Sequence, residues 1–233
     1  MFHNLYVRII HTTCVLCDTK AQDTMDLCSA CHDSLPTNLH CCTVCALPLP
    51  PSTAQGFDLR CGNCLDDNGP ISKSVVPFLY RPPVDFMIRR LKYADDTKFG
   101  RLIGELLFQS IYPQYTTLPD WLIPVPLHEE RYRQRGFNQA HVIANHLSAR
   151  LHIPLDDSAV TRIVASDQQA ALGARDREKN MRRAFTVSTT VHGKSIAIVD
   201  DVYTTGATCT ALAKSLLTAG ASRVDVWAFA RTP

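Results

Sequence analysis

Two adjacent carboxylates followed at once by a threonine-rich turn form the stretch of the sequence best suited to bind a small molecule. The run IAIVDDVYTTGAT, residues 196–208, ends an apolar segment on Asp200 and Asp201 and continues through three threonines and a glycine. Vicinal hydroxyls donate hydrogen bonds to carboxylates, whereas the N–H groups and hydroxyls of a strand-to-helix turn suit a phosphate monoester. The stretch therefore predicts a ligand that carries both groups, such as ribose 5-phosphate.

Two better-known phosphate sites require glycine patterns that this chain lacks. A P-loop NTPase also has an acidic strand end, which holds magnesium, but it needs a G-x-x-x-x-G-K-[ST] loop. None of the ten glycines lies in such a loop, and the dinucleotide pattern G-x-G-x-x-G is absent. The alternative that stays open is a strand end with two solvated acids and no ligand.

Eight of the ten cysteines form four C-x-x-C pairs, a spacing typical of zinc knuckles. The pairs are Cys14 and Cys17, Cys28 and Cys31, Cys42 and Cys45, and Cys61 and Cys64. Two thiolates at this spacing bind one tetrahedral zinc ion, and a second pair completes the coordination. Four pairs predict two structural zinc sites, because four thiolates leave no open position for water; redox catalysis by one pair is the weaker alternative.

The sequence leaves open how the four pairs are shared between the two sites. Consecutive pairs give one site from the first two knuckles and one from the last two, whereas a cross-braced arrangement interleaves them. Cys41 lies outside the four pairs and is predicted to be a spare thiol. Because nine of the ten cysteines fall between Cys14 and Cys64, we place a zinc-ribbon domain at residues 1–68 and a second domain at residues 69–233.

The second domain alternates predicted strands with predicted helices. Strands are predicted at 75–80, 120–127, 194–200 and 223–230, and helices at 84–111 with a break near Asp95 and Asp96, at 135–151, and at 208–219 before Gly220. This alternation predicts an α/β fold with a parallel sheet, right-handed crossovers and helices on both faces. Ligands of such sheets bind beyond the carboxyl ends of the strands, where Asp200 and Asp201 are expected.

Composition and charge exclude some classes of protein. The chain has 233 residues, of which 45% are hydrophobic, and its net charge is only +2. Nucleic-acid binding must therefore come from a local basic patch. No apolar run approaches the roughly 20 residues that span a bilayer, and the first residues lack a signal-peptide pattern. We expect a cytoplasmic protein without membrane insertion.

The run at 196–208 resembles the phosphoribosyl-diphosphate signature of type I phosphoribosyltransferases. The resemblance implies that Asp200 and Asp201 hold the ribose hydroxyls and that magnesium is bound together with phosphoribosyl diphosphate. It also implies that the turn wraps the 5-phosphate through Thr204, Thr205, Gly206, Ala207 and Thr208.

Nearly the whole chain is similar to the ComF/GntX family. The similarity rests on the four knuckles, LKY at 91–93, PVPLHEERYRQRGFNQA at 124–140, TR at 161–162, QQAALGARDREKNMRRAF at 168–185 and VWAFART at 226–232. This family joins a double zinc ribbon to a type I phosphoribosyltransferase-like domain and is associated with DNA uptake in natural competence. The resemblance implies a diphosphate loop at Val125, Pro126 and Leu127, a basic segment with Arg131, Arg135, Asn138 and Gln139, and further binding residues Gln169 and Arg175.

The polar and basic segment 161–185 is interpreted as a cover that closes over the site and excludes water from an oxocarbenium-like centre. Its cluster of arginines also suits a nucleic-acid backbone.

Two functions follow from these expectations. The first is a magnesium-dependent phosphoribosyltransferase, in which Asp200 and Asp201 position the sugar and Arg135 stabilises the departing diphosphate. The acceptor is not identified. The second is a single-stranded-DNA-binding adaptor, whose transferase fold senses a ligand or docks a DNA-uptake helicase or processing protein. A transcriptional regulator that keeps only the nucleotide-sensing fold is a third reading, by analogy alone.

Overall fold

A computed structural model describes residues 13–21, 25–51, 58–66, 69–93, 97–163 and 184–233. The chain forms two compact units, Met1–Leu35 and Pro36–Pro233. The second unit contains the sheet and also the last two cysteine pairs. The compact units thus divide after Leu35, whereas the domain boundary after residue 68 follows the cysteine spacing and stays a prediction.

Within its described residues, the first unit contains a tight knuckle and a short helix. Thr13 pairs with Lys20 in an antiparallel bridge around the first cysteine pair. Helix α1, Ser29–Asp33, is capped at its N-terminus by Cys28, whose sulfur accepts a hydrogen bond from the Cys31 N–H. In the second unit a helix of the same length, α2, Gly62–Asp66, follows Cys61.

A parallel sheet forms the centre of the second unit. Its strands are β1 (Lys73–Val75), β2 (Phe78–Leu79), β3 (Trp121–Pro124), β6 (Ser195–Tyr203) and β7 (Arg223–Arg231). In space β7 pairs with β1 and β2 on one side and with β6 on the other, and β6 pairs with β3, all in parallel. The predicted parallel α/β fold is confirmed.

Five more helices accompany the sheet within the described residues. They are α3 (Val84–Tyr93), α4 (Thr97–Ile111), α5 (Glu129–Arg135), α6 (Gln139–Leu151) and α7 (Ala207–Thr218). Ile196 and Ile198 of β6 pack in one cluster with Leu212 and Leu216 of α7. Alternate residues of a strand point to opposite faces, and α4 and α6 pack against each other and against the sheet. The helices therefore cover both faces, as predicted.

Strand β6 is longer than the apolar pattern indicates. The pattern ends at Asp200, but the strand continues to Tyr203 because β7 supplies backbone partners, with Val202 opposite Ala230 and Tyr203 opposite Arg231. The two aspartates consequently lie inside a paired strand near its carboxyl end.

Two short strands frame the predicted cover segment. β4 (Val160–Arg162) and β5 (Phe185–Val187) pair antiparallel, with Arg162 opposite Phe185. Residues 164–183 lie outside the described part of the chain. No helix among the described residues combines the length and apolar character needed to cross a bilayer.

Candidate functional site

The eight paired cysteines converge in two clusters. Within each cluster the sulfur atoms all lie within 4.8 Å of one another, and the members are Cys14, Cys17, Cys28 and Cys31 in the first and Cys42, Cys45, Cys61 and Cys64 in the second. The knuckles are thus combined in sequence order, and the cross-braced alternative is wrong.

The cluster dimensions fit a tetrahedral zinc ion. A Zn–S distance of about 2.3 Å places neighbouring sulfurs about 3.8 Å apart. The Cys17 and Cys28 sulfurs are 3.6 Å apart, and so are those of Cys45 and Cys61. Cys41 belongs to neither cluster, and its burial raises the pKa of its thiol to about 11, which disfavours the thiolate form.

The two ribbons repeat one local design. In each, the N–H of the first cysteine donates to the carbonyl five residues ahead, at 2.8 Å from Cys14 and 2.9 Å from Cys42. The residue after each first pair adopts a positive φ, 59° at Asp18 and 53° at Ala46. The sequence signal of this internal repeat is that the pair Cys14 and Cys17 recurs 28 residues later as Cys42 and Cys45.

The two aspartates of β6 sit in different environments. Asp201 is only 8% exposed, and its Oδ2 lies 2.7 Å from Lys92 Nζ. Asp200 accepts a hydrogen bond from the Asp201 N–H at 2.9 Å. Burial, together with the charge of Asp201, raises the pKa of Asp200 to about 8. The fold therefore disfavours the charged form of Asp200. Hydroxyl donors or a divalent cation from a ligand would stabilise that charged form.

Lys92 is a site residue to which the sequence reasoning gave no role. It lies in the last turn of α3, in the LKY motif, and its side chain is mostly buried against Asp201. The motif marked the position, but only the packing of α3 near the end of β6 shows its partner. Lys92 compensates the negative charge of the Asp201 carboxylate.

The turn after β6 combines exposed hydroxyls with a helix N-terminus. Thr204 and Thr205 are exposed, and α7 begins at Ala207. The Thr205 hydroxyl accepts from the Ala207 N–H at 3.4 Å. Gly206 has a φ of 78°, and a Cβ there would lie 2.9 Å from the Tyr203 hydroxyl. Glycine is thus required twice over, by conformation and by close packing.

The predicted diphosphate loop lies beside the aspartates. The Val125 N–H donates to the Val199 carbonyl at 2.9 Å, directly before Asp200. Asn138 fixes this loop, because its Nδ2 donates to the Val125 carbonyl while its Oδ1 caps α6 through the Ala140 N–H, both at 3.0 Å. Val125 is buried, and Pro126 and Leu127 are half-buried in the same segment. Asn138 thus holds the loop in place through its own side chain.

Arg135 is held at the junction of three helices. Its Nη1 donates to Gln139 Oε1 at 2.9 Å, and its guanidinium lies 5.6 Å from the centre of the Tyr93 ring. Gln139 is 2% exposed, and its Nε2 has no hydrogen-bond partner among the described residues. Arg131 lies half-buried on α5. Tyr93 follows Lys92 directly, so the end of α3 joins the basic segment to Asp201.

The structure therefore brings most of the predicted site residues to one region. Asp200, Asp201, the loop at 125–127 and the turn at 204–208 lie at the carboxyl ends of β3 and β6, where Pro124 pairs with Val199. Arg135 and Gln139 are connected to this region through the end of α3, because Arg135 lies over the Tyr93 ring and the neighbouring Lys92 contacts Asp201. Gln169 and Arg175 lie outside the described residues.

Comparisons with known proteins identify a family model and relatives that this chain resembles. Residues 8–65 match the family model for a double zinc ribbon domain, so the two cysteine clusters are zinc-binding sites. The chain is 37% identical over 210 residues to DNA utilization protein YhgH of Escherichia coli O157:H7, covering 88% of this chain and 90% of the relative. It is 33% identical over 215 residues to competence protein F of Haemophilus influenzae, with the same coverage.

Among solved structures, a purine phosphoribosyltransferase from Pyrococcus horikoshii aligns with 60% of this chain and 70% of its own, at 17% identity and a TM-score of 0.33.

Proposed function

This chain belongs to the ComF family, which includes DNA utilization protein YhgH and competence protein F, and we propose that it is a phosphoribosyltransferase acting in DNA uptake. The proposed ligand is phosphoribosyl diphosphate with magnesium. The observation that carries the proposal is the junction of two carboxylates and a hydroxyl-rich helix N-terminus at the end of β6. This junction matches the two ends of a ribose 5-phosphate.

Each part of the ligand has a matching group. Asp200 and Asp201 accept hydrogen bonds from the ribose 2- and 3-hydroxyls. The 5-phosphate lies in the turn of Thr204 and Thr205, with the N–H groups of the first turn of α7 directed at its oxygens. The contact from Lys92 holds Asp201 in place during binding. Gly206, Ala207 and Thr208 complete the turn.

The chemical step is a displacement at C1 of the ribose. A nitrogen nucleophile forms a bond to C1 while the C1–O bond to diphosphate breaks, and the diphosphate leaves with the electron pair. Arg135, assisted by Arg131, stabilises the charge that develops on the leaving group. Val125, Pro126 and Leu127 shape the loop beside it, which Asn138 anchors and Gln139 supports through Arg135. Bound magnesium supplies further charge neutralisation on the diphosphate.

Three further proposals go beyond this geometry. Gln169 and Arg175 contact the ligand from the segment that β4 and β5 frame. The protein acts in the cytoplasm, a reducing compartment that keeps the zinc-binding thiols free of disulfides. A DNA-uptake helicase or processing protein is the proposed macromolecular partner.

The test is calorimetric titration of phosphoribosyl diphosphate with magnesium. We expect wild-type protein to bind and the double variant Asp200→Asn/Asp201→Asn to bind at least 100-fold more weakly. The matched control is Asp120→Asn. The Asp120 carboxylate accepts hydrogen bonds from Ser195, which lies at the amino end of β6, the end opposite to Asp200 and Asp201. Absence of binding to the wild-type protein, or equal binding to the double variant, would refute the proposal.

Exposed aromatic and basic side chains favour a second candidate function, binding of single-stranded nucleic acid. Tyr93 is 74% exposed with Arg135 over its ring, and Tyr132 on α5 is 52% exposed. Stacked bases and bound phosphates are the chemistry that such a surface recognises. An oligonucleotide titration at 50 and 200 mM salt tests it, with Tyr93→Ala and Tyr132→Ala as variants. Tyr112→Ala, at an exposed tyrosine after α4, is the control. A flat salt response, or equal effects of all three variants, would contradict this function.

A further inference from the structure

A buried arginine connects the second zinc ribbon to the turn proposed to bind phosphate. Arg231, the last residue of β7, is 7% exposed. Its Nε donates to the Cys45 carbonyl at 3.1 Å, and Cys45 is a ligand of the second cluster. On the other side of the guanidinium, Nη1 donates hydrogen bonds to the Tyr203 carbonyl, at 3.0 Å, and to the Thr204 carbonyl. One planar guanidinium thus contacts a zinc-binding knuckle and the start of the turn.

The knuckle is tied to the rest of the second unit along its whole backbone. Four successive carbonyls, at residues 43–46, accept hydrogen bonds from outside the ribbon's cysteine pairs. The bonds are Ser74 N to Thr43 at 2.8 Å, Ser74 Oγ to Val44 at 2.5 Å, Arg231 Nε to Cys45 at 3.1 Å, and Asn38 Nδ2 to Ala46 at 3.0 Å. A shift of this knuckle on losing zinc therefore moves the acceptor of Arg231.

The other end of the connection sets the shape of the turn. Tyr203 is buried, its ring lies 5.1 Å from the Arg231 guanidinium, and its hydroxyl occupies the space behind Gly206. Gly206 is the N-cap of α7, whose first N–H groups face the proposed phosphate. A displaced Arg231 releases the Thr204 carbonyl and the packing of Tyr203 together.

We propose that Arg231 is a positioning residue that couples zinc occupancy of the second ribbon to ligand binding by the turn at 204–208. The second ribbon then supports the binding site. The inference rests on the proposed function for its ligand, phosphoribosyl diphosphate, but the coupling itself has a signature without ligand. That signature is the amide hydrogen exchange of residues 203–208.

The experiment compares matched ribbon variants in the full chain. Cys61→Ser/Cys64→Ser disables the second cluster, and Cys28→Ser/Cys31→Ser disables the first; zinc analysis of each should fall from two ions to one. We expect the second-ribbon variant to bind phosphoribosyl diphosphate at least tenfold more weakly and to exchange the amides of 203–208 at least tenfold faster. The first-ribbon variant should match the wild type in both measurements.

Arg231→Lys supplies the test that leaves the ribbons intact. Lysine keeps the charge but lacks the planar fork that donates to carbonyls on two sides. We expect two zinc ions per chain, faster exchange at 203–208 and weaker ligand binding. Wild-type exchange and affinity in Arg231→Lys, or equal losses in both ribbon variants, would overturn the coupling. If wild-type protein binds no phosphoribosyl diphosphate, the proposed function fails, while the exchange measurement still decides the coupling.

Discussion

Removal of Lys92 provides a direct test of how the paired aspartates are stabilised. Lys92 Nζ lies 2.7 Å from Asp201 Oδ2, and the two side chains retain only 20% and 12% exposure. Lys92→Met keeps most of the volume but leaves the Asp201 carboxylate uncompensated beside Asp200. Breaking a fully buried ion pair costs about 3–5 kcal/mol, and the residual exposure reduces this to about 2–3 kcal/mol here. For a unit of this size the melting temperature should fall by about 4–12 °C.

A double-mutant cycle isolates the interaction from the lost packing. Thermal unfolding at pH 7 is measured for wild type, Lys92→Met, Asp201→Asn and the double variant. We expect the double variant to be more stable than Lys92→Met, because it no longer buries the charge, with a coupling energy of about 2 kcal/mol. Additive losses, or a loss below about 0.5 kcal/mol for Lys92→Met, would show that the pair does not stabilise the fold.

Three further changes test the site. Because the pKa of Asp200 is raised, the folded protein binds more protons than the unfolded chain between about pH 4 and pH 8, and its stability falls as the pH rises through this range. Asp200→Asn removes this loss. Its stability gain, measured by urea unfolding, should therefore be absent at pH 4 and grow up to about pH 8. Gly206→Ala should cost about 1–3 kcal/mol in thermal unfolding and abolish phosphate binding, because φ is 78° and Tyr203 fills the space. Asn138→Ala should cost about 1–2 kcal/mol by the same measurement through loss of the α6 cap, and a loss below 0.3 kcal/mol would contradict that role.

Local patterns predicted most of the fold. The alternation of apolar runs and helical spacing anticipated the parallel sheet, with α3 ending at Tyr93 and α4 beginning at Thr97. The predicted break near Asp95 and Asp96 lies outside the described residues. The C-x-x-C spacing predicted both metal clusters, because zinc geometry constrains residues close in sequence. The order of pairing needed the structure, since both schemes satisfy the same spacing.

Long-range contacts account for what the sequence left out. The partners of Lys92 and Arg231 lie 109 and 186 residues away, on elements that meet only in the folded sheet. The continuation of β6 past Asp200 likewise depends on β7, which pairs with Val202 and Tyr203 after the two acids have interrupted the apolar run. Contacts between residues so far apart produce no periodic pattern in the sequence. A motif can therefore indicate that a residue is important but not which residue it contacts.

The continuation of β6 through both acids affects the entropy of binding. The backbone of Asp200 is already fixed by pairing with β7, and so is that of Val202 on the far side of Asp201, so a ligand does not have to order this part of the strand. Ordering a residue costs about 1–2 kcal/mol at room temperature, and three residues, 204–206, separate the end of β6 from the start of α7. Within the described residues, the free-energy cost of ordering the backbone between the two acids and α7 therefore falls on this one short turn, which leaves more of the contact energy for affinity.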